Sequence, residues 1–229
     1  LTVTGNGKVD NTVHQGAALQ NKGKATLENG TFTRSKEAGK DGNANGNSWY
    51  VIDNSGTLTL KDVTVYQGTD AENALQWTFS STIRNKGASA EKMAVMEVNG
   101  ATVVSGRIAL KNDDWGKMTI ADAEVTGGNQ AVQNWAQLEI SGGTFAGNVV
   151  TWFYAMQGSE PETRTHATIT GGTFNGRVMC VDYDQDSEGK VEIDEGVTIS
   201  GTASFSEMPK YTYFADDYIA AWDEDSEMY

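Results

Sequence analysis

The sequence predicts an all-β solenoid, in which short strands stack coil upon coil, and three recurrences in the chain predict it. The first is an apolar-x-apolar triplet: Leu1-Thr2-Val3, Ala25-Thr26-Leu27, Leu58-Thr59-Leu60, Met96-Glu97-Val98, Met118-Thr119-Ile120, Leu138-Glu139-Ile140, Ala167-Thr168-Ile169 and Val191-Glu192-Ile193. The second is an apolar anchor seven positions after the first residue of each internal triplet: Phe32, Val65, Val103, Val125, Phe145 and Phe174. In the first and last copies the step is one residue longer, to Val9 and Ile199. Third, Asn21, Asn54, Asn85, Asn112 and Asn134 each follow an apolar residue by two and precede the next triplet. Short alternating segments, rich in β-branched residues and punctuated by Gly and Asn, are strands rather than helices. A repeat of roughly 20 to 24 residues cannot close a core alone, so each coil buries its inner face against its neighbours.

The asparagines say which solenoid this is. Asn tolerates the left-handed backbone of a sharp corner. At the strand spacing of about 4.8 Å, equivalent amides in successive coils can also hydrogen-bond along the axis. With this column, residues 1 to about 205 resemble the right-handed parallel β-helices of the pectin-lyase-like superfamily. The phrases ENGTF, ISGGTF and ITGGTF also resemble the repeats of large bacterial cell-surface proteins. The resemblance implies a right-handed parallel β-helix of about eight coils, one per triplet, with an asparagine ladder. It implies less about activity, because that superfamily hosts lyases, hydrolases and adhesins on one scaffold.

In chain order, residues 1–23 form an opening coil with Val9, Val13 and Leu19 inward; His14 has no second histidine or cysteine nearby and reads as a bystander. From Thr33 to Ser48 the polar, Gly-rich TRSKEAGKDGNANGNS reads as a loop, and residues 66–80 (YQGTDAENALQWTFSS) interrupt the next coil at the same corner. Loops of this length are commonly functional or disordered. Tyr66, Trp77 and Phe79 either line a binding edge there or cover the open end of the core. A smaller insertion between Lys86 and Ala94 sits at the Asn corner, and residues 95–153 then run with triplet steps of 22 and 20. A polar loop with Pro161 and His166 follows Tyr154, and the last clear coil ends near Phe205. Beyond it, FADDYIAAW places Phe214, Tyr218, Ile219 and Trp222 on one helical face. Residues 206–229 are therefore expected as a C-terminal cap followed by a solvated acidic tail, with 1–205 as the β-helix.

Composition narrows the partners. A net charge of −14 with 17 scattered Lys and Arg argues against nucleic acid, which needs a positive face, and against anionic membranes. No apolar run reaches the length of a membrane span. Cys180, the single cysteine, rules out an internal disulfide and falls among inward positions, as a buried inert thiol. No signal peptide opens the chain and Leu1 starts in mid-coil, so a piece of a longer secreted polypeptide is expected.

Chemistry would be built on outward positions. Thr2, Thr26, Thr59, Thr119, Thr168 in one column and Thr31, Thr64, Thr102, Thr144, Thr173, Thr198 in another suggest an ice-binding face, but Glu97, Glu139 and Glu124 break both. Thr is simply well suited to an exposed strand. Asp113 and Asp114 form a carboxylate pair of the kind glycoside hydrolysis uses, or a turn former. The Gly-His-Gly and Arg-Ile-Lys motifs of β-helical polygalacturonases are absent. Asp182, Asp184, Asp186 and Glu188 in DYDQDSEG resemble a calcium loop, with Ser187 and Ile193 departing from its pattern; Ca²⁺ is the one cofactor the sequence brings up. Trp115 and Trp135 follow Asn112 and Asn134 on neighbouring coils, and Trp152, Phe153 and Tyr154 reach the same region, Trp152 expected inward. An outward aromatic strip there, with Asp113, Asp114 and Gln133 beside it, would bind sugar rings or a protein. The expectation is a non-catalytic extracellular or cell-surface module, an adhesin-like binding or stalk element for a glycan or a host or cell-surface protein. Its binding residues would be Trp115, Trp135, Asp113, Asp114, Trp77 and Tyr66. The alternative is a lyase or hydrolase acting on an acidic polysaccharide.

Overall fold

The computed structural model describes residues 1–12, 16–35, 50–77, 80–153, 165–182 and 196–229. Its strands pair in parallel and fall into three columns, a parallel β-solenoid. The first column carries the triplets: Thr2–Thr4, Lys24–Glu28, Thr57–Lys61, the start of Ala94–Ser105, the start of Gly116–Asn134, Gln137–Ile140 and His166–Ile169. The second carries the anchors, through Lys8–Asp10, Thr31–Arg34, Thr64–Gln67, the two long strands, Thr144–Phe153 and Thr173–Asn175. The third holds Leu19–Asn21, Ile52–Asn54, Ser81–Asn85, Ile108–Asn112, the ends of Gly116–Asn134 and Thr144–Phe153, and Val178–Asp182. Gly116–Asn134 passes through all three columns in one run, with the pairing slipping near Gln130 where the chain bends.

Alternation decides what faces inward. In Lys24–Glu28, Ala25 and Leu27 are buried while Thr26 is half-buried outside; Leu58 and Leu60 do the same around Thr59. Because the coils repeat in register, like residues stack. Phe145, Phe174 and Phe205 lie ring on ring at centroid distances of 4.9 and 5.1 Å, close to the strand spacing of about 4.8 Å. These stacked rings, with Leu27, Leu60, Val98, Ile120 and Ile140, belong to one continuous core cluster.

At the end of the third column runs the asparagine ladder. Each side-chain amide donates to the oxygen of the next: Asn21 to Asn54 and Asn54 to Asn85 at 2.7 Å, Asn85 to Asn112 and Asn112 to Asn134 at 2.9 Å. Asn134 then donates to the Thr151 hydroxyl at 3.4 Å. The same amides reach backbone carbonyls of the neighbouring coil, as Asn54 does to Val95 at 3.0 Å and Asn112 to Gln137 at 2.7 Å. The oxygens accept the N–H two residues on, at Gly23, Gly56 and Ala136. Asn54, Asn85, Asn112 and Asn134 have no exposed surface, so the ladder satisfies groups that burial would otherwise penalise. Cys180, buried at 1% exposure, occupies the ladder position beyond Thr151.

Three expectations need correcting. The strand that pairs with Ala167-Thr168-Ile169 is Val197-Thr198-Ile199, not Val191-Glu192-Ile193, which lies outside the described residues. Ile199 is therefore the end of a triplet, and the anchor following Phe174 is Phe205. Thr33 and Arg34 belong to a strand and are buried, so the first loop begins later than its polar composition suggests; Ser35 is tied to Asp10 through both its N–H and its hydroxyl. Residues 214–222 are not helical. Instead the C-terminal segment adds backbone bonds to each column in turn. Tyr213–Phe214 pairs with Thr198 and Ile199, and Lys210 N–H donates to the Val178 carbonyl at 3.0 Å. Phe205 and Tyr229 exchange two N–H···O bonds of 2.8 Å. The physical reason is the open strand edge, whose N–H and C=O groups a helix would leave unpaired. The acidic tail is likewise held, by an Asp223–Met228 bridge and by Asp223 accepting from Ser226 and the Asp225 N–H.

The ladder's contribution is measurable by urea unfolding. Asn85→Leu strands a donor on Asn54 and an acceptor on Asn112, and the expected loss is ~3 kcal/mol. Asn21→Ala, at the open end, removes one such bond and is expected to lose only ~1 kcal/mol. Equal losses at the two positions would show that the amides are not coupled along the axis. In the core, Phe174→Ala opens a gap between two stacked rings, with an expected loss of about 4 kcal/mol in the same measurement.

Candidate functional site at the asparagine corner

Past the ladder the chain turns, and what it carries around that turn is the candidate site. At Asn112 the turn is enlarged. The Asp113 N–H donates to the Asn85 carbonyl at 2.8 Å, Trp115 adopts a left-handed φ of 57°, and the Gly116 N–H returns to the Asp113 carbonyl at 3.0 Å. The insertion after Lys86 packs against this turn. The Gly87 N–H donates to the Asp114 carbonyl at 2.9 Å and the Ala94 N–H to the Trp115 carbonyl at 3.0 Å. Gly87 is required there, since a Cβ would lie 2.8 Å from that of Trp115.

The charges at this corner are closed on each other. Arg84 binds Asp53 of the neighbouring coil through two bonds of 2.8 and 2.9 Å, and its guanidinium lies 4.3 Å from the centre of the Tyr50 ring. Lys111 reaches Asp113 at 3.1 Å; Lys86 reaches Asp114 at 3.0 Å and Asp113 at 3.9 Å. Burial pulls both Arg84 and Lys86 down, but their carboxylate partners outweigh it and hold each above its ordinary value. Three cations face three carboxylates, so the corner is formally neutral within a chain of net charge −14.

Beside the ion pairs lies the aromatic strip. Trp135 and Trp152, on adjacent coils, stack with centroids 5.2 Å apart and planes 7° from parallel. Both are half-buried. Trp152 thus turns outward, contrary to expectation, and Phe153 turns into the core instead, because Thr151 takes the ladder position. Rings stacked along the axis share their inner faces, so a ligand meets their edges and the two outer faces. Trp115 is half-buried at the next turn, Asp113 is nearly buried at 8% exposure, and Gln133 and Asp114 are half-buried.

The other expected site residues are placed elsewhere. Tyr66 and Trp77 are 6% and 7% exposed. Lys8 lies over the Tyr66 ring at 5.6 Å and donates to the Thr69 carbonyl, while Gly68 abuts the Trp77 indole. Phe79, Tyr154, His14, Asp184, Asp186 and Glu188 lie outside the described residues, and of Asp182 only the strand position opposite Phe153 is described. Among the described residues no group of three or more His, Cys, Asp and Glu could hold a metal ion. No helix among them is long and apolar enough to cross a membrane.

Sequence reading missed Arg84, Asp53, Lys86 and Lys111. A signal existed: Asp53, Arg84 and Lys111 each directly precede a ladder asparagine and so share one outward row. In parallel coils such residues are cross-strand neighbours.

The Lys86 pair gives a pH test. Its folded pKa lies above the unfolded value, so its stabilisation is full below the lysine range and lost as pH rises through that raised value. The side chain is 39% exposed, so the effect stays under about 1 kcal/mol. The thermal midpoint of Lys86→Met is expected below that of the native chain near about pH 8, with the gap narrowing by about pH 11.5. A gap that widened with pH would reject the assignment.

No protein-family model, curated protein or solved structure matches the chain.

Proposed function

We propose that the chain is a right-handed parallel β-helix of the pectin-lyase-like kind, of about eight coils, serving as a non-catalytic binding or stalk module at a bacterial cell surface. Residues 206–229 close its C-terminal end, a role supported by their backbone bonds to Val178, Ile199 and Phe205. The Asn corner is the binding surface, with Trp135 and Trp152 as its apolar floor and Trp115, Asp113 and Asp114 at its margin.

One observation carries the reading: the ionic groups of the corner are spent on each other. A lyase needs a basic group ready to take a proton and a hydrolase needs a carboxylate ready to give one. At this corner Arg84, Lys86 and Lys111 are engaged by Asp53, Asp114 and Asp113. What it offers a partner is shape, a fixed ring pair and a neutral polar border, which suits an uncharged stretch of glycan or a protein surface. The phrases ENGTF, ISGGTF and ITGGTF, which resemble repeats of bacterial surface proteins, support the location.

A glycan array probed with and without Ca²⁺, with hits followed at about 235 nm for unsaturated product, tests this. Binding without product is expected. Trp135→Ala and Trp152→Ala should each weaken binding about tenfold while leaving the strand content unchanged by circular dichroism. Accumulating product would replace the proposal with a polysaccharide lyase.

A further inference from the structure

We infer that the outer surface of the C-terminal segment, residues 206–229, docks a basic protein segment that carries an apolar anchor side chain. The outer face of this segment is not polar. Ile219 is 86% exposed, Tyr211 61%, Trp222 51% and Tyr218 44%, all within one short stretch of chain. Single exposed apolar residues are ordinary, but aromatic residues gathered at one end mark an interaction surface.

The same stretch offers a receptacle. A cavity of about 210 Å³ opens between the last coil and residues 218–221, lined by Ile199, Phe205, Phe214, Tyr218 and Tyr229 among others. The side chains that line it are apolar or aromatic, with polar backbone exposed between them, suited to one aliphatic or aromatic side chain.

Charge selects the partner. Residues 206–229 hold seven carboxylates, Glu207, Asp216, Asp217, Asp223, Glu224, Asp225 and Glu227, against Lys210 alone, a net −6 of the chain's −14 in about a tenth of its length; Arg177 takes Glu207 at 2.9 Å, and the other six remain to face a partner. Asp217 and Glu224 are exposed. Carboxylates around exposed tyrosine and tryptophan rings receive Lys and Arg twice over, by ion pairing and by cation–π contact. A second copy of this chain would bring a net −14 of like charge to the same surface, which disfavours self-association.

The probe is a fluorescein-labelled peptide alternating arginine and leucine, followed by anisotropy, with a glutamate and leucine peptide as its control. The arginine peptide is expected to bind and to weaken as NaCl rises. Ile219→Asp is expected to weaken it about tenfold. Asp217→Asn combined with Glu224→Gln is expected to weaken it several-fold. Both variants spare the core; Asp217 has a φ of 73°, a conformation Asn accepts. Trp135→Ala should bind the peptide as the native chain does, which separates this surface from the Asn corner. Undiminished binding by both variants, equal binding of the control peptide, or no binding would each overturn the inference. A concentration-dependent dimer in sedimentation, abolished by Ile219→Asp with no peptide bound, would assign the surface to a second copy and overturn it as well.

Discussion

The hydrogen bond between one asparagine amide and the next is the constraint on which the rest of this structure depends. Apolar alternation alone would tolerate a slip of two residues, which keeps the same side chains facing inward. An amide has one oxygen and one NH₂, and in the dry corner each needs its counterpart at the strand repeat. The ladder therefore sets the register, and with it the stacking of Phe145 on Phe174 and of Trp135 on Trp152. It also holds the turns that carry the Lys86, Asp113 and Asp114 network, since Asn85 and Asn112 are the residues on which those turns pivot.

The surface chemistry follows from how outward residues of successive coils meet. In a parallel stack a residue's neighbour is its counterpart one coil away, so Asp53 meets Arg84 although 31 positions separate them. In the Asp53–Arg84 pair both partners sit on neighbouring strands. Such ion pairs add little stability in water. The neutral corner beside two stacked indoles contrasts with the acidic, aromatic residues 206–229 of the same chain.

Much of the architecture was legible in the chain. The triplets, the anchors from Val9 to Phe174 and all five asparagines take the pairings their spacing implies. The pattern failed where it became degenerate: Val191-Glu192-Ile193 and Val197-Thr198-Ile199 are the same apolar-x-apolar word six residues apart, and only the pairing to Ala167 chooses between them. At Trp152 the register depended on a slip near Gln130 that alternation cannot foretell. Residues 214–222 have a helical apolar face, yet the open edge of the last coil draws Tyr213–Phe214 into a strand and the residues after it turn without forming a helix. The charged corner was hidden for a different reason, since sequence neighbours were read together and coil neighbours were not.

The ladder also has a direction. From Asn21 to Asn134 each amide donates toward the later coil, so every coil laid down leaves an NH₂ group whose acceptor belongs to the coil not yet in place. A solenoid assembling from its first residue would thus advance with one unmet donor at its growing tip, and the addition of each coil satisfies it and creates the next. Thr151 breaks this relay, because a hydroxyl accepts from Asn134 and can turn its own proton elsewhere. The amide chain thus has a polarity along the axis, and it ends at Thr151, where the tryptophan stack begins.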